Sequence, residues 1–180
     1  KHPLYPGSKE IRIYQQLGRV TAKQLEPLDQ LLMILPGKVP ATVWKSLPQG
    51  QKLKAAIRRP RTDALPALYT RLGNKKQTLV AAATLSADAD AFEQLSRARK
   101  LVASATAEKA GILGIAVVGF DAETAASIAK NVVSAALAAA FRLPAFKSDK
   151  PSETIRSIRI VGLAGKLDLD RVRAEANGNN

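Results

Sequence analysis

The chain has 180 residues, 46% of them apolar, which is enough to bury a core and excludes disorder throughout. Cysteine is absent, so disulfides, thiolate metal sites and Cys–His catalysis are excluded, and the one histidine, His2, leaves Ser–His catalysis only a terminal side chain to draw on. The net charge of +13 is unevenly spread, with 15 Lys/Arg against 4 Asp/Glu in residues 1–80 and 13 against 11 afterwards, an asymmetry that suits an anionic partner or a solvated basic face.

Residues 1–10, with two prolines and a glycine, read as a flexible arm. A short strand is expected in IRIYQQL (11–17), and a buried strand in the continuous apolar run QLLMIL (30–35), closed by Pro36-Gly37. Pro40 opens a short helix over ATVWKSL, since a first-turn proline lacks only an N–H that would be unpaired there anyway. Lys52–Arg59 (KLKAAIRR) reads as a strand with basic residues outward. The Pro-interrupted stretch from Arg59 to Lys76 reads as irregular, with a helical turn around Ala67–Leu72.

QTLVAAATL (77–85) is the clearest strand of the first half. Asp90 and Glu93 have capping-box spacing for a helix to about Lys109, expected to bury Phe92, Leu95, Val102 and Ala105. ILGIAVVG (112–119) is apolar on both faces, as a central parallel strand must be. Asp121 caps an Ala-rich helix stopped by Pro144, whose Val132, Val133, Leu137 and Phe141 should be buried with Ile115, Val117 and Val118. After the loop FKSDKPSET, RSIRIVGL is a strand with Ile158 and Ile160 inward and Arg156 and Arg159 outward.

Strands alternating with helices predict an α/β layered domain with a mainly parallel mixed sheet flanked by helices. Its expected extent is residues 11–170. Residues 171–180, polar and ending in NGNN, read as the start of a linker, so the chain is expected to be one domain of a longer protein. No apolar run is long enough to span a membrane. With no cysteine and no signal-peptide pattern at the start, a cytoplasmic location is expected.

The order of these elements, the strand KKQTLVAAAT, the long helix after it, and ILGIAVVGFDAETAASIAKNVVSAALAAAFRLPAFKSDKP followed by RSIRIVGL and a last helix from Leu169 through Glu175-Ala176-Asn177 resemble the N-terminal domain of the leucyl aminopeptidase (cytosol aminopeptidase) family. The resemblance is good over residues 76–180 and rests on element order alone over 1–75. It implies a macro-domain-like fold, attachment to a C-terminal peptidase domain, a homo-oligomer (a hexamer in the family) and DNA binding in some bacterial members. It also implies that the two divalent metal ions, zinc or manganese, and every catalytic residue lie in that other domain, because nothing here matches the family's Asn-Thr-Asp-Ala-Glu-Gly-Arg-Leu stretch. No catalytic, cofactor-binding or metal-binding residue is therefore expected in this chain.

Two candidate sites remain. Arg58, Arg59, Arg61, Arg71, Lys75 and Lys76 fall within twenty residues broken by Pro60, Pro66 and Gly73. Loop-borne cations of this kind can contact nucleic-acid phosphates without reading sequence. The alternatives are a solvated face or a protein interface. VGLAGKLDLD (161–170), with Gly162, Gly165 and Lys166, is the best place for a macro-like ADP-ribose or nucleotide site, but it lacks the closely spaced glycines of a phosphate loop. Asp88, Asp90 and Glu93, like Asp168 and Asp170, sit at helix starts, where capping accounts for them without acid–base chemistry.

Overall fold

Three of the six described strands are followed by a helix that carries the chain back along the sheet to a strand of the same direction, which is what lets neighbouring strands run parallel. The computed structural model describes residues 10–57, 68–107, 110–140 and 155–178. The strands are β1 (Arg12–Gln16), β2 (Gln30–Pro36), β3 (Leu68–Arg71), β4 (Leu79–Leu85), β5 (Ile112–Val117) and β6 (Ser157–Val161). They form one sheet in the order β1-β6-β5-β2-β4-β3, in which only β3 is antiparallel to its neighbour. The α/β layered fold with a mainly parallel mixed sheet is as the sequence predicts.

Helices α1 (Ala22–Leu25), α2 (Ala41–Ser46) and α3 (Gly50–Ile57) cover one face of the sheet. On the other lie α4 (Ala91–Ala107), α5 (Ala122–Ala140) and α6 (Leu169–Gly178). Strand alternation splits β2 between two cores. Leu31, Met33 and Leu35 pack with Leu28, Trp44, Leu47 and Leu53 on the first face. Leu32 and Ile34 pack with Leu101, Ile115, Ile128, Val132 and Val133 on the second. Two glycines permit this closeness: a Cβ on Gly114 would strike the buried Leu28 side chain, and one on Gly50 would strike the Trp44 carbonyl of α2.

Asp90 and Asp121 cap their helices as the sequence predicts, whereas Pro40 is the cap of α2 rather than its first residue. Thr21 forms a full capping box with Gln24. Asp90 accepts the Glu93 N–H at 2.7 Å, and Asp121 accepts the Thr124 N–H at 2.9 Å. Val132, Val133, Ile115 and Val117 are buried and Leu137 and Val118 are partly buried, whereas Phe141, Pro144 and the loop after it lie outside the described residues, as do residues 1–9.

Three expectations need correction. KLKAAIRR opens in a helix, α3, because Leu53 is drawn into the core beside Trp44 while Lys52 stays in solvent. A strand, β3, occupies the segment read as irregular, since Tyr69 and Thr70 suit an edge position against β4. Phe92 is 81% exposed, because the inner face of α4 is built by Ala98, Leu101 and Val102 instead. Residues 171–178 continue as helix α6, with Val172 and Ala176 buried against the domain.

Candidate functional site

The uneven charge along the sequence becomes an uneven charge across the sheet. Residues 17–57, which supply α1–α3 and their connections, carry six Lys/Arg against two carboxylates. Lys23, Lys38, Lys45 and Lys52 are exposed and, among the described residues, have no ion-pair partner. Arg19 is partly committed, since its Nε donates to the Ser46 carbonyl at the end of α2. The α4–α6 side carries its cations mixed with Glu93, Glu123, Asp170 and Glu175.

Of the six residues proposed for phosphate contact, Arg58, Arg59 and Arg61 lie outside the described residues. Arg71 and Lys75 are exposed on the β3–β4 hairpin, where Arg71 Nη1 also donates to the Gln77 carbonyl. Lys76 is differently engaged. Its Nζ donates to Asp29 Oδ1 at 2.8 Å and to the Pro27 carbonyl at 3.0 Å, so it fastens the hairpin to the segment entering β2. The described residues add exposed cations on α1–α3 and their connections to the basic surface that the sequence places on one loop. Sequence reading missed Lys23, Lys38, Lys45 and Lys52 as members of it because they lie on separate short elements.

Asp29 is the hub of that fastening. Its other oxygen accepts the Ile112 N–H at 2.7 Å, and its own backbone N–H and C=O bond Ile112 and Leu79, so one residue ties the starts of β2, β4 and β5. Burial pushes its carboxyl up, but the Lys76 hydrogen bond, the Ile112 N–H and the charges of Lys76 and Arg156 outweigh it and hold the group below its ordinary value.

The C-terminal ends of parallel strands are where α/β sheets usually bind ligands. Here β4, β5 and β6 lead into α4, α5 and α6, and the free N–H groups at those helix starts face the side chains of Asp90, Asp121 and Asp168. Asp121 is held below the ordinary carboxylate range by the Thr124 N–H and hydroxyl, and Asp88 by the Ser86 hydroxyl. Asp121 is thus an ionised cap rather than a poised acid or base. A phosphate entering here would meet like charges, which counts against the nucleotide reading of residues 161–170; Lys166 is exposed and stands alone as a cation there.

Among the described residues no three His, Cys, Asp or Glu side chains come together to hold a metal ion. Among the same residues no helix is long and apolar enough to cross a membrane.

Neither a protein-family model nor a curated protein sequence matches the chain. Solved structures do. A point mutant of tomato leucine aminopeptidase superposes over 97% of this chain with a TM-score of 0.60 and 19% identity. The two share a fold. This chain spans 37% of that enzyme, and its six-stranded layered architecture is consistent with the family's N-terminal domain. The bottromycin maturation enzyme BotP gives a TM-score of 0.46 over 82% of this chain, at 18% identity alone and 16% in complex with Mn, and this chain spans 29% and 28% of those chains.

Proposed function

We propose that this chain is the non-catalytic N-terminal domain of a two-metal leucyl aminopeptidase. The observation that carries the reading is agreement of fold over nearly all of this chain with little more than a third of a leucine aminopeptidase, in line with the sequence resemblance over residues 76–180. Peptide hydrolysis and its two zinc or manganese ions then reside in a C-terminal peptidase domain. This domain contributes to assembly of a cytoplasmic homo-oligomer, a hexamer if it follows the family. The purified chain should release no amino acid from a leucyl anilide, with or without manganese or zinc, and metal-dependent turnover above a mock purification would overturn the assignment. The coding sequence beyond Asn180 offers an independent check: it should continue into a Lys/Asp/Glu metal-ligand stretch.

The basic layer supports a second role, contact with the backbone of duplex DNA. Its cations are borne on short helices and a hairpin with no recognition helix among them, so binding would track phosphate rather than sequence. Gel retardation at low salt tests it, and the parent assembly is the sample to use because several patches act together.

A further inference from the structure

The core under α1–α3 takes in residues of β2, β4, β5 and β6, such as Leu31, Ala82, Ala116 and Val161, but none of β1 among the described residues. On that side alternation points Arg12, Tyr14 and Gln16 of β1 outward, with Arg159 of β6 directly opposite Tyr14. Tyr14 is 43% exposed and lies over Arg159, whose guanidinium carbon is 5.3 Å from the ring centroid. Stacking of this kind fixes the plane of a guanidinium. Arg159 Nε and the neighbouring Gln16 Oε1 are both buried and without a hydrogen-bond partner. Neither Arg12 nor Arg159 has an ion-pair partner among the described residues.

The strand itself is also open. Among the described strands β1 pairs only with β6, so the backbone N–H and C=O groups of its outer edge face away from the sheet. Leu17, at the end of β1, is 40% exposed. The opposite side of β1 is already used: Ile13 packs on the core and the Gln15 amide is bonded to both the N–H and the carbonyl of Leu167.

We propose that this edge is a docking site for an acidic, extended polypeptide segment, which pairs as a strand along β1 and sets a carboxylate on the Arg159 guanidinium. A strand edge presents donors and acceptors at a spacing that another polypeptide backbone matches and a nucleic acid does not. Two unpaired arginines beside it select acidic side chains, and a planar guanidinium grips a carboxylate through two parallel hydrogen bonds. Residues 1–9, next to the edge in sequence, contain no Asp or Glu, so the carboxylate comes from elsewhere.

The test uses the whole chain and fluorescence anisotropy of a labelled Glu-Val repeat peptide, with a Lys-Val repeat and a single-stranded oligonucleotide as rivals. The acidic peptide should bind, and Arg159→Gln should weaken it at least tenfold. Arg12→Gln, at an exposed position that cannot disturb the fold, should weaken it several-fold. Methylating alternate backbone nitrogens of the peptide should abolish binding, whereas Lys45→Gln should leave it unchanged. No binding, or equal binding by the Arg12→Gln and Arg159→Gln variants, overturns the proposal. So does oligonucleotide binding that these two substitutions remove, or self-association that they abolish in the absence of peptide.

Discussion

Asp29 shows how much of the sheet can hang on one side chain. Asp29→Asn removes the ion pair to Lys76 and weakens the bond from Ile112, and hydrogen bonds to charged groups are worth about 1.5–3 kcal/mol each. A loss of about 2 kcal/mol in urea unfolding at neutral pH is expected. Because the folded carboxylate is held below its ordinary value, its contribution is fully present above the unfolded pKa, about 4, and disappears as pH falls through the lower folded value. The gap between wild type and variant should therefore close on acidification below that point; a gap constant from pH 7 to pH 3 would remove the carboxylate from the account. Gln30 makes the opposite case. It is 1% exposed, and neither atom of its amide has a hydrogen-bond partner, so Gln30→Met should raise stability by about 1–3 kcal/mol by removing an unsatisfied buried group. A lowered unfolding midpoint would mean that the amide is satisfied in solution.

At the scale of elements, α5 is the keystone of the second layer, packed between α4 and α6 and over β5. Ile128 is 1% exposed on its inner face, so Ile128→Ala should cost about 2–5 kcal/mol, measured by chemical denaturation. Gly50→Ala should separate α3 from α2, because the added methyl meets backbone that cannot rotate away. Long elements with a strong pattern were legible in the sequence: QLLMIL, QTLVAAATL, ILGIAVVG and the Asp121-capped helix all stand where continuous apolar runs and capping put them. Short ones were not. KLKAAIRR carries too few turns for its period to separate helix from strand, and the burial of Leu53 beside Trp44 decided it. LYTR became a strand through pairing with β4 and Phe92 was left outside by the way α4 meets its neighbours, both matters of tertiary contact. The role of Lys76 was equally hidden, since Asp29 lies 47 residues away in sequence.

For the molecule as a whole, the sheet separates a cationic layer from a mixed one whose carboxylates crowd the helix starts. If the cationic layer contacts DNA, replacing Lys23, Lys45 and Lys52 with Gln should weaken binding by the parent assembly and flatten the slope of log K against log salt, by about 0.9 for each phosphate no longer neutralised. These side chains are exposed, so stability should change by less than about 0.5 kcal/mol for each. The same triple variant should leave binding of the acidic peptide at the β1 edge intact. A parent assembly that fails to retard DNA at low salt would return the lysines to solubility or a protein interface.

The pairing of β1 with β6 also has a consequence during synthesis. Arg12 stands opposite Ser157, so among the described strands the first made must wait for the last before it has a neighbour. At roughly 5–20 residues per second the delay is about 7–30 s, long compared with the microseconds in which a hairpin closes. Throughout that interval the nascent chain shows an unpaired β1, joined once β5 has been made by the β6-facing side of that strand. Ribosome-bound chains arrested before Ser157 should therefore be trapped by a holdase chaperone, and release from it should coincide with the emergence of β6 from the exit tunnel.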